Sequence, residues 1–331
     1  MSKKLLHWSI QILILTGILF AVGIFSLCVG SSGIPLKKIF STILEGSGST
    51  EYSIIFDIRL PRIILGFAVG GALSLAGVIL QGLFRNPLVE PYTLGISGGA
   101  ALGVCLNIVL GIYHTSILSL PVSGFTGAIL VVLIVYFLST KKGILKIQGL
   151  LLTGVMISFI SSSLIMFIMS ISKVEDLHGI IFWIMGSLEE PSMFLIKTTV
   201  WLSVFGLFGT YLFCRDLNAF ALGEEDAAHL GVDTEKTKKA LFLLSSLLTG
   251  AAVSVAGVIG FVGLVIPHFV RMFIGYDHRV LILASFLTGG AFLIMCDTIA
   301  RTVIAPIELP VGVITGIIGG IMFIYFLNKR K

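Results

Sequence analysis

The sequence predicts an all-α, polytopic membrane protein: one bundle of ten transmembrane helices built on an inverted internal repeat. Three observations carry that prediction. The 331 residues are 56% hydrophobic and only 12% charged, with a mean hydropathy of +1.07, whereas soluble domains average about 25% charged. Apolar stretches of about 20 residues, the length that crosses a bilayer, recur along the whole chain. A ten-residue segment returns, largely unchanged, 180 positions later.

This composition excludes a disordered chain, a nucleic-acid-binding domain and an ordinary cytosolic enzyme. The net charge of +5 is dispersed, as expected of the positive-inside bias of membrane proteins, and no basic patch for nucleic acid emerges. Cys28, Cys105, Cys214 and Cys296 fall in no metal-binding or CxxC spacing and read as small apolar fillers.

The first element starts after Lys3 and Lys4 and is apolar from Trp8 to Cys28. It is longer than the 7–15-residue apolar core of a signal peptide, and Leu27 before Cys28 argues against a lipoprotein cleavage site. It is expected to stay as the first span. The ten expected spans are 8–28, 60–82, 92–112, 117–138, 149–171, 194–213, 238–257, 259–275, 280–301 and 308–327. The eighth is the weakest, being short and interrupted by Pro267. Charge favours keeping it. With ten spans and both termini cytoplasmic, fifteen of the 22 Lys and Arg lie inside and six outside, with Lys197 near the outer end of the sixth span. With nine spans the basic tail Lys329-Arg330-Lys331 would lie outside, against the rule.

The second span is crowded with small residues (Gly66, Gly70, Gly71, Ala72, Ser74, Ala76, Gly77), which let helices approach closely in lipid. Span centres carry almost no charge; Asp297 and Arg301 stand one turn apart near the outer end of the ninth. Ion-coupled carriers place ionisable groups inside the membrane, so this scarcity disfavours them. The repeat pairs Gly70–Ile79 with Gly250–Ile259, with identities at 70/250, 72/252, 74/254, 76/256, 77/257, 78/258 and 79/259, and again at Pro87/Pro267 and Gly95/Gly275. Copies five spans apart point in opposite directions, the pattern of transporters whose substrate path lies between inverted repeats.

Three polar stretches stand out. Arg59-Leu60-Pro61-Arg62 opens the second span. Pro61 suits a first helical turn, so Arg59 and Arg62 are expected to flank an exposed helix start, either snorkelling to the interface or docking an acidic partner. Gln81 to Pro91 is a short cytoplasmic turn stiffened by Pro87 and Pro91, a tight connection or a gate. Residues 214–239 form the longest cytoplasmic loop. Within it Glu224 to Leu230 reads as a short helix, with acids in its first turn and Gly231 at its C-terminal cap, fitted either to connect or to enter a partner's groove. There is no Walker A, HExxH, GxSxG or strand-linked GxGxxG pattern, and His268 reads as a packing residue.

These residues resemble the FecCD-type permease family of ABC importers, which carry iron–siderophore complexes, haem and cobalamin. The matching stretches are Arg59-Leu60-Pro61-Arg62; Gln81 with Asn86-Pro87-Leu88 and Pro91; Leu94 to Ala100; Leu150 to Val155; Trp183 with Gly186-Ser187-Leu188; Leu222-Gly223 through Leu230-Gly231-Val232; Gly260 to His268 with Arg271; Asp297 with Ala300-Arg301; and Glu308 to Gly312. The resemblance implies a BtuC-like type II importer permease occupying the whole chain as one domain, multi-pass in the cell membrane. It implies a second permease copy or sister permease, a cytoplasmic ABC ATPase dimer that holds the ATP, and an extracytoplasmic substrate-binding protein. This chain would then be no enzyme and carry no cofactor, metal or nucleic acid.

By the same resemblance, Arg59, Arg62 and Arg301 match arginines that grip acidic residues of the binding protein. Asn86 and Leu88 match a cytoplasmic gate. Leu222, Gly223, Glu224, Glu225, Asp226, Ala227, Ala228, His229, Leu230 and Gly231 match the coupling helix seated on the ATPase. A second gate is implied just before Leu150, where Ile147 and Gln148 replace small hydroxyl residues. An iron–siderophore complex is the expected cargo, with haem and cobalamin as alternatives. A secondary transporter of another fold is the rival reading. A membrane enzyme using Asp297 and Glu308 fits least, because neither has a partnered nucleophile or metal cluster.

Overall fold

The computed structural model describes residues 2–30, 33–46, 48–190 and 192–328. The basic tail Lys329-Arg330-Lys331, used above to orient the chain, lies outside the described residues. The order is α1 (Ser2–Cys28), α2 (Leu36–Glu45), α3 (Thr50–Ser53), α4 (Leu60–Phe84), α5 (Ile96–Val109), α6 (Ser119–Ser139), β1 (Thr140–Lys141), β2 (Ile144–Leu145), α7 (Ile147–Ile171), α8 (Val174–Met185), α9 (Met193–Leu212), α10 (Cys214–Phe220), α11 (Glu224–His229), α12 (Thr234–Ala256), α13 (Val262–Ile274), α14 (His278–Ala300) and α15 (Val311–Asn328). The fold is helical as expected, apart from a two-stranded hairpin. Lys142 and Gly143 at its tip both have positive φ (52° and 80°), the backbone of a two-residue turn that matches strand twist.

Seven helical runs are long and apolar enough to cross a membrane: those beginning at Lys4, Thr50, Ser119, Ile147, Met193, Thr234 and His278. The other three expected spans appear as shorter apolar helices, Ile96–Val109, Val262–Ile274 and Val311–Phe326. All ten expected stretches are therefore apolar helices, but three fall short of a full crossing by length. Missed entirely were α2 and α8, which lie in segments read as connections.

The core is α4, buried along nearly its whole length and packed against α14, α12, α9 and α13. Its small residues explain the closeness. A Cβ added at Gly77 would collide with the carbonyl of Gly263 on α13, and one at Gly70 with the carbonyl of Gly289 on α14. In contrast α7 turns Leu152, Phe159, Ile160, Met166 and Phe167 outward, and α9 does so with Phe194, Trp201, Phe205 and Phe208. An apolar face of that extent is a surface for lipid or for another apolar helix.

Two pairs of contacts fix helix directions. Lys4 meets Asp277 (3.4 Å) just before α14, and Ser26 meets Thr298 (2.8 Å) at its far end, so α1 and α14 run parallel. Arg62 at the start of α4 meets Asp297 at the end of α14, so those two run antiparallel. A first and a ninth span must be parallel; deleting the eighth would reverse that.

The repeat does not translate into like local structure throughout. Gly70–Ile79 is continuous helix inside α4, whereas the second copy leaves the helix after Ala256, and residues 257–261 are unwound before α13 begins. Gly257 and Phe261 both take positive φ (68° and 69°).

Candidate functional site

At one end, the predicted outer mouth, the three arginines converge, but not as expected. The helix does not start at Leu60: it is continuous from Thr50, through a π-helical stretch Ile54–Arg59 that ends two residues before Pro61. Arg59, Arg62 and Arg301 are accordingly not at an exposed helix start; they are 3%, 7% and 3% exposed. Arg62 pairs with Asp297 (3.0 Å) and with Glu308 (2.6 Å). Arg301 pairs with the other oxygen of Asp297 (2.9 Å) and donates to Ser26 Oγ (2.8 Å). Arg59 donates to the Leu27 carbonyl (2.6 Å) and packs on Gly30. Asp297 is thus the shared acid of two buried guanidiniums, and Glu308 is the half-open member of the set. A cleft of about 410 Å³ opens beside Arg62 and Glu308, bounded by Trp183 and Phe182 of α8.

The middle of the chain's polar chemistry is the break between α12 and α13. Unwound backbone at such a position needs partners from outside the helix ladder, and the turn after α4 supplies them. Tyr92 Oη donates to the Ile259 carbonyl (2.9 Å) and accepts from the Ile259 N–H (3.0 Å). Glu90 Oε1 accepts from the Phe261 N–H (2.7 Å). Burial pushes the Glu90 carboxyl above the ordinary carboxylate range, against the opposing effect of that N–H. Pro267 inside α13 has no N–H for the Gly263 carbonyl four residues earlier. Gln81 Nε2 donates to that carbonyl (3.2 Å) and to that of Leu264 (3.1 Å), while Arg271 donates to Gln81 Oε1.

At the opposite end, the predicted cytoplasmic face, Asn86 and Leu88 lie in the turn that follows α4. Arg85 ends the helix in left-handed conformation, and Asn86 Oδ1 accepts from the Leu88 N–H (2.9 Å), an Asx turn that leaves Leu88 half-exposed. The segment 214–239 is not a loop but largely helical: α10, α11 and the first turns of α12. Within Leu222 to Gly231 only Gly223 and Ala227 are buried; the acids Glu224, Glu225 and Asp226, and Ala228, His229, Leu230 and Gly231, face outward. Leu222 and Leu230 are 61% and 65% exposed.

One buried lysine ties this end together. Lys238 of α12 is 2% exposed; it pairs with Glu224 of α11 (2.6 Å) and with Glu235, and donates to the Leu145 carbonyl of β2 (3.2 Å). Glu235 in turn accepts from the Leu145 N–H (3.0 Å). A cavity of about 550 Å³ brings Arg85, the segment Lys146 to Gly149, Phe220 and Glu224 to one place. The predicted coupling helix, the segment implied as a second gate and the edge of the first gate therefore surround one space. Lys238, Glu90 and Tyr92 were missed. Glu90 and Pro91 belong to the Gln81–Pro91 turn, and Pro267 inside a helix signals an unpaired carbonyl, but neither names its partner. Among the described residues no group of His, Cys, Asp and Glu could hold a metal.

Comparison with known proteins supplies the context for these ends. The profile described as the FecCD transport family matches residues 18–329. The chain is 39% identical to the cobalamin import system permease of Halobacterium salinarum, over 92% of this chain and 82% of that protein. It is 40% identical to the hemin transport system permease of Yersinia pestis, over 92% of each, and 34% identical to the Fe(3+) dicitrate permease of Escherichia coli, over 97% and 98%. A solved structure described as an inward-facing metal-chelate type ABC transporter superposes with a TM-score of 0.85 at 29% identity, over 97% of this chain and 99% of that one.

Proposed function

The chain belongs to the FecCD transport family and is a multi-pass permease subunit of an ABC importer, with ATP hydrolysis on a separate subunit; from that premise we propose that it moves an iron–siderophore complex inward across the cell membrane. Permeases of this kind work with an ATPase and a substrate-binding protein, and often with a second permease. Here the three short apolar helices complete ten spans, and both termini lie in the cytoplasm. The parallel course of α1 and α14 supports that count.

The observation that carries the mechanism is the Lys238 clamp. Leu222 and Leu230 bracket an acidic turn on α11, an exposed surface shaped for a groove on the ATPase. Displacement of α11 reaches β2 and the start of α7 through Glu224, Lys238 and Leu145. It reaches the Asn86–Leu88 turn across the cavity shared with Arg85. ATP-driven closure of the ATPase is thereby converted into movement of both gate segments.

At the outer mouth, docking proceeds by exchange. An acidic side chain of the binding protein displaces Glu308 from Arg62, while buried Asp297 keeps Arg62 and Arg301 in place. Charge reversal of Arg62 should then weaken docking and also lower stability, so thermal unfolding is measured alongside affinity for the binding protein. The cargo reading is tested by reconstituting the permease with its ATPase and binding protein. ATPase stimulation is compared across ferric siderophores, hemin and cobalamin. Stimulation by ferric siderophores is expected; stimulation by hemin or cobalamin alone would reassign the cargo.

A further inference from the structure

The first helix packs on α14 and leaves a groove of about 480 Å³ between itself, the start of α14 and the last turn of α9. Its walls change character along their length. Because α1 and α14 run parallel, Arg279 and Trp8 stand at one end, together with Tyr211 of α9. Away from that end the walls are Ile12 and Leu13 of α1 and Leu283 of α14. Ser9 and Thr16 also line the groove, but their hydroxyls donate to the Leu5 and Ile12 carbonyls of their own helix (3.0 and 2.8 Å) and add little polarity. No carboxylate lines the space.

The polar end is cationic. Lys4 and Arg279 share one carboxylate, Asp277, each at 3.4 Å, and Asn218 donates to the same group (3.0 Å), so the set carries a net positive charge. The Arg279 side chain is more than half exposed, which leaves guanidinium N–H groups for an anion. Lys4 Nζ lies 4.7 Å from the centre of the Trp8 ring. Neither the Trp8 indole N–H nor the Tyr211 hydroxyl meets a hydrogen-bond partner among the described residues. Tryptophan and tyrosine at the level of lysine and arginine mark a headgroup layer. Depth agrees with that reading. Leu5 and Thr16, at the two ends of the α1 wall, are about 16 Å apart along a helix, about half of a hydrocarbon core of ~30 Å. A groove one leaflet deep and polar at one end only matches a lipid; a spanning helix needs the full thickness.

We propose that this groove is a binding site for one anionic glycerophospholipid, drawn from the leaflet that surrounds the N-terminus of α1. The phosphate sits at Arg279, within the reach of the Trp8 and Tyr211 donors, and an acyl chain runs along Leu5, Ile12, Leu13 and Leu283. Occupancy fills the gap between α1 and the bundle. That matters because α1 is the least enclosed of the seven long apolar runs. The lipid fastens it to α14, whose other end carries Asp297 and Arg301. The site depends neither on the cargo nor on which membrane face is cytoplasmic, so it stands or falls apart from those readings.

The test is made on the full-length permease, released from nanodiscs of phosphatidylcholine with and without phosphatidylglycerol and weighed by native mass spectrometry. One retained phosphatidylglycerol per chain, in preference to phosphatidylcholine, is expected. The groove variants are Arg279→Gln, which removes the charge, and Ser9→Glu, which places a carboxylate on the wall beside Trp8; both positions are exposed. Each should weaken retention about tenfold, by loss of a charge-assisted contact or by repulsion. Tyr211→Phe, which removes one hydroxyl and keeps the packing, should weaken it about threefold. Lys142→Gln, at the exposed hairpin tip away from the groove, should leave retention unchanged. Equal retention of the two lipids, or none, overturns the proposal, as does full retention in Arg279→Gln or in Ser9→Glu. An equal loss in Lys142→Gln would reduce the effect to diffuse attraction and overturn it too. So would a dimer that forms without phosphatidylglycerol and is lost in Ser9→Glu, which would assign the groove to a second copy of the chain.

Discussion

Gln81 on α4 donates through Nε2 to the carbonyl of Gly263 on α13 at 3.2 Å, taking the place of the helical donor that Pro267 cannot provide. The two residues lie 182 positions apart, one in each copy of the repeat. The glutamine's own oxygen accepts from Arg271 one turn past the proline, so one amide closes the gap in the helix and is itself oriented by it. Replacing Gln81 by Leu should leave a buried carbonyl unpaired and cost about 1–3 kcal/mol. Pro267→Ala restores the helical N–H, so the penalty of Gln81→Leu should shrink in that background. A thermal-unfolding double-mutant cycle in detergent measures this; strict additivity would show that the amide is not serving that carbonyl.

The Asp297 carboxylate makes a second prediction. It is the common partner of Arg62 and Arg301, all three buried. Asp297→Ala leaves the Arg301 guanidinium without an acid and Arg62 with Glu308 alone, and breaking a buried pair from one side costs about 3–5 kcal/mol. Removing charge from both sides, as Arg62→Met with Asp297→Leu, should recover part of the loss in unfolding assays, less than fully because Arg301 still lacks its acid.

Close approach of α4 to α13 sets a third. Gly77→Ala drives a methyl into the Gly263 carbonyl and should cost about 1–3 kcal/mol or more. Gly316→Ala on α15 meets no atom within 4 Å and should stabilise by about 0.5–1 kcal/mol, the usual gain from removing a helix-interior glycine. Shifts of melting temperature in opposite directions are the expected readout.

The fourth concerns pH. Burial raises Glu90 above its ordinary value of 4.5. A folded-state pKa above the unfolded one means the native state holds the proton longer, so the stability it contributes is full below about 4.5 and is lost as pH rises through the raised value. Glu90→Gln should therefore stabilise the protein at neutral pH, while its amide oxygen keeps the Phe261 bond. It should also flatten the fall in stability above pH 4.5. An unchanged pH profile of unfolding would remove Glu90 from this role.

Lys238 gives a fifth. Lys238→Met should free α11 from β2, seen as faster hydrogen exchange across 224–229. In the reconstituted transporter it should lower cargo transport per ATP hydrolysed. Because Glu224 is 45% exposed and Glu235 32% exposed, solvent screens both pairs and the stability cost should stay near 1 kcal/mol.

Much of the bundle was legible in advance because lipid imposes a simple code: long apolar runs, and small residues where helices touch. Each expected span has a helix within a few residues. The mouth was legible in membership but not in arrangement. Asp297 and Arg301 sit at the spacing that pairs on one helix face, yet nothing local says that Arg62, some 235 residues earlier, shares the same acid. The unwound stretch after Ala256 was hidden for the same reason. Its sequence copies a continuous helix in α4, and the partners of the unwound form, Tyr92 and Glu90 among them, are contributed from elsewhere. The hairpin and α8 escaped notice because two-residue strands and a 12-residue helix leave too short a pattern to read.

The contact between Ser26 and Thr298 has a meaning for biogenesis. The two hydroxyls are separated by 272 residues, and chains grow at about 5–20 residues per second, so Ser26 is made about 15–55 s before Thr298 exists. For most of that interval α1 has none of α14 to lean on. It must be held in the bilayer by its own apolar length, with its serine satisfied within its own turn, while the later helices are inserted one after another. A chain whose first helix was only as apolar as its final packing requires would lose that helix before the ninth arrived.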